Sequence, residues 1–340
     1  MQKNNRQFIL RQRPEGIPTT DDVVLEESPM PEPGEGEILV RNHYFSLDPA
    51  IRGWMDDTPS YLPPIALGDP VRSTTLGTVV ASRHPSFAEG DHVTGLMGWS
   101  EYSCAPGDYA GKIPVQSEFP PHYFLNILGA VGMTAYFGIL DAADPAPGKT
   151  LLMSAAAGAV GSVGGQIAKS RGCRVVGLAG SDEKCAWICS ELGFDTAINY
   201  RTCGPLTQAI ADACPEGVDI FFDNVGGETL DAALLNLNSG ARIVFCGSIS
   251  TYNSPNPVPG PYNWWQVLAR SVTIQGFLVS NYVERFPEGI EGMSALLRSG
   301  EVKFREDIVD GFENTLSAFH KLFDGSNQGK LILRLDHELD

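Results

Sequence analysis

The chain has 340 residues, of which 43% are hydrophobic and 19% charged, and its formal net charge is −17. This composition predicts a folded protein with ample core, and the negative charge argues against nucleic acid and anionic membranes as partners. Seven scattered cysteines without a CxxC pair predict free thiols. No apolar run resembles a signal peptide or a membrane span, so we expect a cytoplasmic protein.

Two regions of different composition follow one another along the chain. Residues 1–125 are rich in Pro and Gly, and short β-branched runs such as EILVRNHYF and TTLGTVVAS predict antiparallel strands. Beyond this region, strand candidates alternate with helix candidates, which is typical of a parallel sheet covered on both faces. A helix near Thr315–Phe323 and a strand at LILRL return to the first domain. We therefore predict a β-rich domain of residues 1–125 and 302–340, with an α/β domain of residues 126–301 inserted in it.

The inserted domain has a regular order of predicted elements. They are the strand TLLMSAA, a helix through Gln166–Arg171, the strand CRVVGLAG, the helix EKCAWICSEL, the strand TAINY, the helix LTQAIADAC, the strand VDIFFDNV, the helix TLDAALLNL and the strands ARIVFCGS and VTIQGFLV.

The first strand of this domain leads into AAAGAVGSVGGQ, residues 155–166. Ala156, Gly158 and Gly161 occupy the positions of a GxGxxG pattern, with Ala in the first place. Gly158 would let the backbone approach a pyrophosphate, Gly161 would let the helix pack closely on the strand, and the helix start would attract the phosphates. The alternative is a small-residue helix packed against a neighbour. The strand before, the helix after and the alternating units beyond favour a dinucleotide site.

The end of the second strand bears on which dinucleotide binds. NAD enzymes usually carry an acid there for the ribose 2′-hydroxyl, whereas this strand ends in Gly180-Ser181. Lys184, one turn later, would meet a 2′-phosphate, although a lone lysine is often only solvated and Asp182 could serve as an N-cap. The missing acid and Lys184 together favour NADP over NAD.

Motifs along nearly the whole chain carry a resemblance to one family. They are SLDPAIRGWM, SFAEGDHVTGLMGWSEY, MTAY, MSAAAGAVGSVGGQIAKSRGCRVVGLAGSDEK, INY, FDNVGG, FCGSISTYN, QGFLVS and GSNQGKLIL. The chain resembles the zinc-independent branch of the medium-chain dehydrogenase/reductase family that contains prostaglandin reductases, plant alkenal double-bond reductases and a bacterial curcumin reductase. The resemblance implies a GroES-like β domain, a Rossmann domain, an active site in the cleft between them and a homodimer joined through edge strands. It also implies NADPH reduction of the C=C bond of α,β-unsaturated aldehydes and ketones.

The resemblance also implies which residues hold NADP(H), position by position. It places Gly158, Ala159, Val160 and Gly161 at the pyrophosphate, Lys184 and Tyr200 at the 2′-phosphate, Asn224 after the fourth strand, Cys246, Gly247, Ser248, Ile249, Ser250, Thr251 and Tyr252 along the ribose and nicotinamide, Phe277, Leu278 and Val279 beside the nicotinamide, and Asn327 over it. Some of these residues have a purely structural alternative. Tyr200 would then be a strand-end aromatic, Asn224 and Asn327 turn residues, and Phe277–Val279 strand core.

The zinc ligands of related alcohol dehydrogenases have no counterpart in this sequence. Where those enzymes have a cysteine this chain has Leu47-Asp48-Pro49, and where they have Gly-His-Glu it has Leu67-Gly68-Asp69-Pro70. The region of their structural zinc lobe, residues 107–114, contains no cysteine. The histidines share no ligand spacing; they are His43, His84, His92, His122, His320 and His337. We therefore predict a site without metal.

Conjugate reduction without a metal needs a hydride at the β-carbon and one or two hydrogen-bond donors for the charge that moves to the carbonyl oxygen. Water or a tyrosine hydroxyl then protonates the α-carbon. Tyr252 follows the fifth strand, at the sheet edge where ligands bind, and is the first candidate donor. The alternative for Tyr252 is a contact to the cofactor alone. Tyr61, in the Pro-rich segment DDTPSYLPPI, is a weaker candidate.

Three functions stay open at this stage. The first is an NADPH-dependent alkenal or enone reductase, which the CGSISTYN and GSNQGK segments favour. The second is an NADPH quinone reductase of the same superfamily, and the third is a nucleotide-binding protein without turnover. Trp264 and Trp265 either line an apolar substrate mouth or anchor a loop.

Overall fold

The computed structural model describes residues 4–114, 117–336 and 339. The chain divides into two compact units, one formed by residues 1–126 and 306–340 and the other by residues 127–305. The first unit is discontinuous in sequence, because its last elements follow the whole second unit.

Three successive stretches of the chain supply the described helices and strands. The first unit begins with β1 (Asn4–Leu10), β2 (Val23–Pro29), β3 (Glu37–Ser46), α1 (Ala50–Trp54), β4 (Arg72–Ser82), β5 (His92–Gly98), β6 (Tyr102–Pro106) and β7 (Ala110–Lys112). The second unit contains α2 (Ala130–Phe137), β8 (Thr150–Met153), α3 (Ala159–Ser170), β9 (Arg174–Ala179), α4 (Asp182–Ser190), β10 (Thr196–Asn199), α5 (Leu206–Ala213), β11 (Val218–Asp223), α6 (Gly227–Leu234), β12 (Leu237–Phe245), α7 (Trp265–Ala269), β13 (Thr273–Gly276) and α8 (Phe286–Ser299). The first unit is completed by β14 (Glu306–Asp310), α9 (Thr315–Asp324) and β15 (Lys330–Arg334).

The first unit is built on a sheet in the order β14-β15-β3-β4-β5-β7, with β6 also paired to β3. β14 and β15 are parallel, the other pairs are antiparallel, and β1 pairs separately with β2. A core of fully buried side chains includes Phe45, Trp99, Phe319 and Leu333. Because Phe319 and Leu333 come from α9 and β15, the end of the chain completes the core of its first domain.

The second unit is a parallel sheet in the order β10-β9-β8-β11-β12-β13. From β8 the chain builds outward through β9 and β10, and it then returns to the other side of β8 to add β11, β12 and β13. All residues of β8 are buried, as expected for a central strand with helices on both faces. In such sheets ligands bind beyond the carboxyl ends of the strands at the point where the order reverses.

Some element boundaries differ from the prediction. β13 ends at Gly276, so Phe277–Val279 lie beyond the strand instead of within it. Within this apolar run Phe277 is buried, and its ring stacks on that of Tyr282 with 5.2 Å between centroids. The helix predicted from TLDAALLNL also ends early, since α6 stops at Leu234 and β12 begins at Leu237. In the part of the chain that the structure describes, no helix is long and apolar enough to cross a membrane.

Candidate cofactor and active site

The glycine-rich turn lies between β8 and α3, where the order of the second sheet reverses. Gly158 is the N-cap of α3, and Ala159, Val160 and Gly161 form the first helical turn. Gly158 has no side chain to cap the helix, and no acidic residue stands in the first turn. The backbone N–H groups of this turn have no intrahelical acceptor, so they and the helix dipole suit an anionic group.

Gly161 is the position in this turn where packing leaves no room for a side chain. A Cβ there would lie 2.4 Å from the Ala155 carbonyl oxygen and 2.9 Å from the Ala156 Cα. Both are backbone atoms of the turn before the helix, so neither can rotate away. The helix therefore starts this close to the strand only because residue 161 is glycine.

Helix α4, unlike α3, has a side-chain cap and acidic residues in its first turn. Ser181 is its N-cap, and the Ser181 Oγ accepts a hydrogen bond from the Lys184 N–H at 3.2 Å. Asp182 and Glu183 stand in its first turn. The protein's own acceptors and acids already complement this helix terminus, so an anion near it has to be held by side chains.

The ends of β9 and β10 bring the predicted 2′-phosphate residues to one place. Tyr200 follows β10, and its N–H donates to the Ala179 carbonyl at 3.1 Å. Asn199 Nδ2 donates to Asp182 Oδ1 at 2.8 Å, which ties the end of β10 to the first turn of α4, the turn that carries Lys184. Tyr200 and Lys184 thus stand on adjacent segments at the carboxyl edge of the sheet.

Asp223 is a fully buried carboxyl group at the end of β11. Its Oδ1 accepts hydrogen bonds from Ser154 Oγ at 2.9 Å, from the Val225 N–H at 2.9 Å and from the Gly226 N–H at 3.0 Å. The Asn224 N–H donates to Ser154 Oγ at 2.7 Å, and Asn224 Nδ2 donates to the Ser154 carbonyl at 2.9 Å. Asp223 and Ser154 therefore fix Asn224 beside the glycine-rich turn.

Burial raises the pKa of Asp223, although its three hydrogen bonds oppose the shift. A carboxyl group whose pKa is raised by folding contributes stability that is complete below the unfolded pKa and is lost as pH rises through the folded pKa. Asp223→Asn removes this titration and keeps an oxygen for Val225 and Gly226. We expect the stability of the wild type, measured by urea unfolding between about pH 4 and pH 8, to fall relative to that of Asp223→Asn as pH rises. A difference between the two proteins that stays constant with pH would contradict this account.

The loop after β12 packs on the segment that Asp223 organises. The Cys246 and Gly247 N–H groups donate to the Asp223 carbonyl, and the Ile249 N–H donates to the Asn224 carbonyl. Ser250 Oγ donates to the Val225 carbonyl at 2.6 Å. The predicted residues of this loop and Asn224 therefore form one continuous surface at the carboxyl edge of β11 and β12.

The Tyr252 hydroxyl lies inside this loop. It accepts a hydrogen bond from the Ser248 N–H at 3.1 Å, while Thr251 Oγ1 donates to the Ser248 carbonyl at 2.9 Å. Burial raises the pKa of Tyr252, with the Ser248 bond acting against the shift. The hydroxyl therefore keeps its proton at neutral pH, in a place fixed by the loop backbone.

Two further residues, Phe277 and Asn253, bear on how a ligand could bind. Phe277, after β13, is buried and its N–H donates to the Phe245 carbonyl at 3.0 Å, whereas Leu278 is more exposed. The Asn253 side-chain oxygen is buried and accepts no hydrogen bond from the described residues. A buried acceptor without a partner is uncommon in a folded protein and fits a site that takes a donor from a ligand.

Tyr61 and Asn327, the remaining predicted site residues, belong to the first unit. The Trp54 Nε1–H donates to the Tyr61 hydroxyl at 3.0 Å, and the Tyr61 side chain is half exposed. Asn327 Nδ2 donates to the Gly329 carbonyl at 3.2 Å, just before β15. Both residues lie in loops, as their sequences predict.

Asp48, which lies where related alcohol dehydrogenases have a zinc ligand region, forms an ion pair with the buried Lys330. Lys330 Nζ donates to Asp48 Oδ1 at 2.7 Å and to the Leu47 carbonyl at 2.8 Å. Within residues 4–114, 117–336 and 339, no three His, Cys, Asp or Glu side chains gather as a metal group would require. His337 lies outside the described residues.

Comparison with known proteins identifies the family to which the chain belongs. Residues 6–113 match a model described as the N-terminal domain of oxidoreductase, and residues 159–295 match one described as zinc-binding dehydrogenase. The chain is 40% identical to the NADPH-dependent curcumin reductase of Escherichia coli, over 98% of this chain and 97% of that protein. It is 38% identical to the NADP(+)-dependent 2-alkenal reductase of Nicotiana tabacum, over 98% of both chains.

The chain belongs to the medium-chain dehydrogenase/reductase family. Its fold matches that of CurA from Vibrio vulnificus in complex with NADPH, with a TM-score of 0.92, 39% identity, and coverage of 98% of this chain and 99% of that one. The predicted family and the predicted GroES-like plus Rossmann fold class are confirmed. The names of the relatives are those of the predicted branch of medium-chain reductases.

Sequence reasoning missed three polar residues of this medium-chain reductase site: Ser154, Asp223 and Asn253. An acid at the end of the otherwise apolar run IFFD was the signal for Asp223, because a buried carboxyl group needs nearby donors. Ser154 carries no comparable signal, since its role arises from hydrogen bonds to a segment distant in sequence. No local pattern marks the Asn253 oxygen as a buried acceptor without a donor among the described residues.

Proposed function

We propose that this protein reduces the C=C bond of α,β-unsaturated aldehydes and ketones. NADP(H) is the cofactor, as it is in the relatives. The proposal builds on the finding that the chain is an NADP-dependent oxidoreductase of this family. The observation that supports conjugate reduction is the position of Tyr252, whose protonated hydroxyl stands at the carboxyl edge of the dinucleotide-type sheet.

The residues at this edge suit NADP(H). The first turn of α3 would hold the pyrophosphate, Lys184 and Tyr200 the 2′-phosphate, and the Asn253 oxygen a hydroxyl or amide donor of the cofactor. When bound, NADPH supplies the hydride that the substrate's β-carbon accepts. The protein's own task is to align the substrate, exclude water and stabilise the charge that moves to its carbonyl oxygen.

Tyr252 is the proposed proton donor. Its oxygen already accepts the Ser248 N–H, which leaves the phenolic proton available to an acceptor on the substrate. A hydroxyl held in this way can hydrogen-bond the developing enolate and then protonate the α-carbon. Tyr61 remains the weaker proposal, because its half-exposed side chain is less able to work in a water-free site.

Cys246 makes the loop compatible with electrophilic substrates. Burial raises the pKa of this thiol to about 12. The thiolate is the form that attacks an enal, so a thiol that stays protonated does not compete with hydride for the β-carbon. All seven cysteines are free, which supports a reducing compartment such as the cytoplasm.

The test is a product assay with a medium-chain 2-alkenal and NADPH deuterated at nicotinamide C4. We expect consumption of NADPH and formation of the saturated aldehyde with deuterium on the β-carbon. An allylic alcohol would show carbonyl reduction instead and would contradict the proposal. Turnover of quinones without turnover of enals, or NADPH binding without turnover of either, would support one of the other two functions.

We also propose that the protein is a homodimer joined along β13. This strand is the last of its sheet in the described structure, and Ile274 on it is partly exposed. Trp264, Trp265 and Leu268 expose 53%, 68% and 67% of their surface nearby in sequence, around a shallow apolar groove. An unpaired strand edge beside exposed tryptophans would favour aggregation of a monomer, and a second copy of the chain would cover both the edge and the tryptophans.

Replacement of Trp265 with Glu tests the dimer. We expect Trp265→Glu to shift the protein toward monomer in sedimentation velocity, because it places a charge in the proposed apolar contact. Leu96→Glu is the matched control, since Leu96 is also an exposed hydrophobic residue but belongs to the first unit. Equal sedimentation of the wild type and Trp265→Glu would rule out this interface.

A further inference from the structure

The loop after β12 has no side chain at the point where the Tyr252 hydroxyl lies against it. A Cβ on Gly247 would lie 3.2 Å from the Tyr252 hydroxyl oxygen and 3.3 Å from the Asn224 carbonyl oxygen. Gly247 does not have a left-handed φ, so its backbone conformation does not require a glycine. Packing, and not backbone conformation, therefore explains why residue 247 has no side chain.

We propose that Gly247 is a positioning residue that leaves room for the Tyr252 hydroxyl to reach the Ser248 N–H and be held there as the proton donor. The hydroxyl oxygen accepts that N–H at 3.1 Å. Gly247 has no group that could transfer a proton, so it acts through Tyr252. The choice of Tyr252 as donor belongs to the proposed function, on which this inference rests.

The backbone around Gly247 is fixed, so the loop cannot easily shift to accommodate a methyl group. The Gly247 N–H donates to the Asp223 carbonyl at 3.1 Å, and the Asn224 carbonyl accepts the Ile249 N–H at 3.2 Å. These two bonds hold both the loop and the carbonyl that a new Cβ would approach. The Tyr252 side chain is therefore the neighbour that has to move.

Ser248 is held from two sides and cannot follow the hydroxyl. Its carbonyl accepts the Thr251 N–H and Thr251 Oγ1, each at 2.9 Å. Its side chain packs on Gly226, where a Cβ would lie 2.2 Å from the Ser248 Oγ. A small displacement of the Tyr252 hydroxyl would therefore lengthen its hydrogen bond to the Ser248 N–H instead of carrying Ser248 along.

The first measurement needs no turnover and compares urea unfolding of Gly247→Ala in the wild-type and Tyr252→Phe backgrounds. We expect Gly247→Ala to lower the urea midpoint of the wild type, because the methyl group crowds the hydroxyl. In the Tyr252→Phe background the decrease should be much smaller, since the crowded atom is already gone. Gly276→Ala, at the end of β13, is the matched control: a Cβ there meets nothing within 4 Å, so its effect should be the same in both backgrounds.

The second measurement is kcat for an enal together with the affinity for NADPH. We expect Gly247→Ala to lower kcat by about tenfold, because a misplaced donor is less effective but still present. The affinity for NADPH, measured by calorimetry, should not change. The double variant Gly247→Ala/Tyr252→Phe should have the kcat of Tyr252→Phe alone, since no hydroxyl remains to be displaced.

Three results would overturn the role of Gly247. They are equal decreases of the urea midpoint in both backgrounds, an unchanged kcat of Gly247→Ala where Tyr252→Phe lowers kcat, and weaker NADPH binding at unchanged kcat. Failure of the proposed donor gives a different result. If Tyr252→Phe keeps its kcat while the two urea decreases differ as expected, Tyr252 is not the donor, and Gly247 still makes room for its hydroxyl.

Discussion

Gly161→Ala is expected to lower the affinity for NADPH by about thirtyfold or more. The added Cβ would stand 2.4 Å from the Ala155 carbonyl oxygen, so the first turn of α3 must move away from the turn that precedes it. Overpacking against backbone costs about 2 kcal/mol or more, and here it displaces the N–H groups that would bind the pyrophosphate. Calorimetric titration with NADPH measures the loss directly.

Gly164→Ala is the control for this prediction, because it lies one turn along the same helix. A Cβ at Gly164 would lie 3.2 Å from Ile139 Cγ1 and from Met153 Cε. These are side-chain atoms that can shift, so we expect a small change in stability and little change in NADPH affinity. Similar affinities of Gly161→Ala and wild type would mean that the start of α3 does not contact the cofactor.

Tyr252→Phe is expected to lower kcat for an enal by about 100-fold, the usual contribution of one general acid, with little change in NADPH affinity. The ring stays in place, but the substrate loses its hydroxyl donor and the Ser248 N–H loses its acceptor. Steady-state kinetics give kcat, and a calorimetric titration gives the affinity. Tyr262→Phe is the matched control, because Tyr262 is 86% exposed.

The opposite result for Tyr252 would have a definite meaning. If Tyr252→Phe kept its kcat, the proton would come from water or from Tyr61, and Tyr252 would serve only the cofactor or the loop. A lower NADPH affinity at unchanged kcat would assign Tyr252 to cofactor binding alone.

The fold was predictable because its periodic signals are strong. The buried strand TLLM, the turn at Gly158 and Gly161 and the amphipathic helix after it are local patterns, and the structure places them as expected. Helix α2 was not predicted, since its sequence AVGMTAYF is apolar on all sides and carries no helical period. The end of β13 was missed for a related reason, because apolar residues continue beyond the last paired residue.

The site was predictable where one segment carries the signal. The residues at the start of α3 can be named from spacing alone, and Lys184 from its place after the second strand. Asp223 and Ser154 act through hydrogen bonds between the ends of β11 and β8, which are about seventy residues apart in sequence. Gly180 and Tyr200 likewise meet at two strand ends, where a Cβ on Gly180 would lie 2.8 Å from the Tyr200 hydroxyl oxygen, and no pattern within either segment predicts this contact.

The discontinuity of the first unit has a consequence for how the protein is made. Phe319 and Leu333, which close the core around Phe45 and Trp99, leave the ribosome only after the whole of the second unit. The second unit is continuous in sequence and is fully synthesised before them. During translation part of the apolar core of the β-rich unit therefore stays uncovered after the α/β unit is complete, and exposed apolar surface of this kind makes an incomplete chain prone to aggregate.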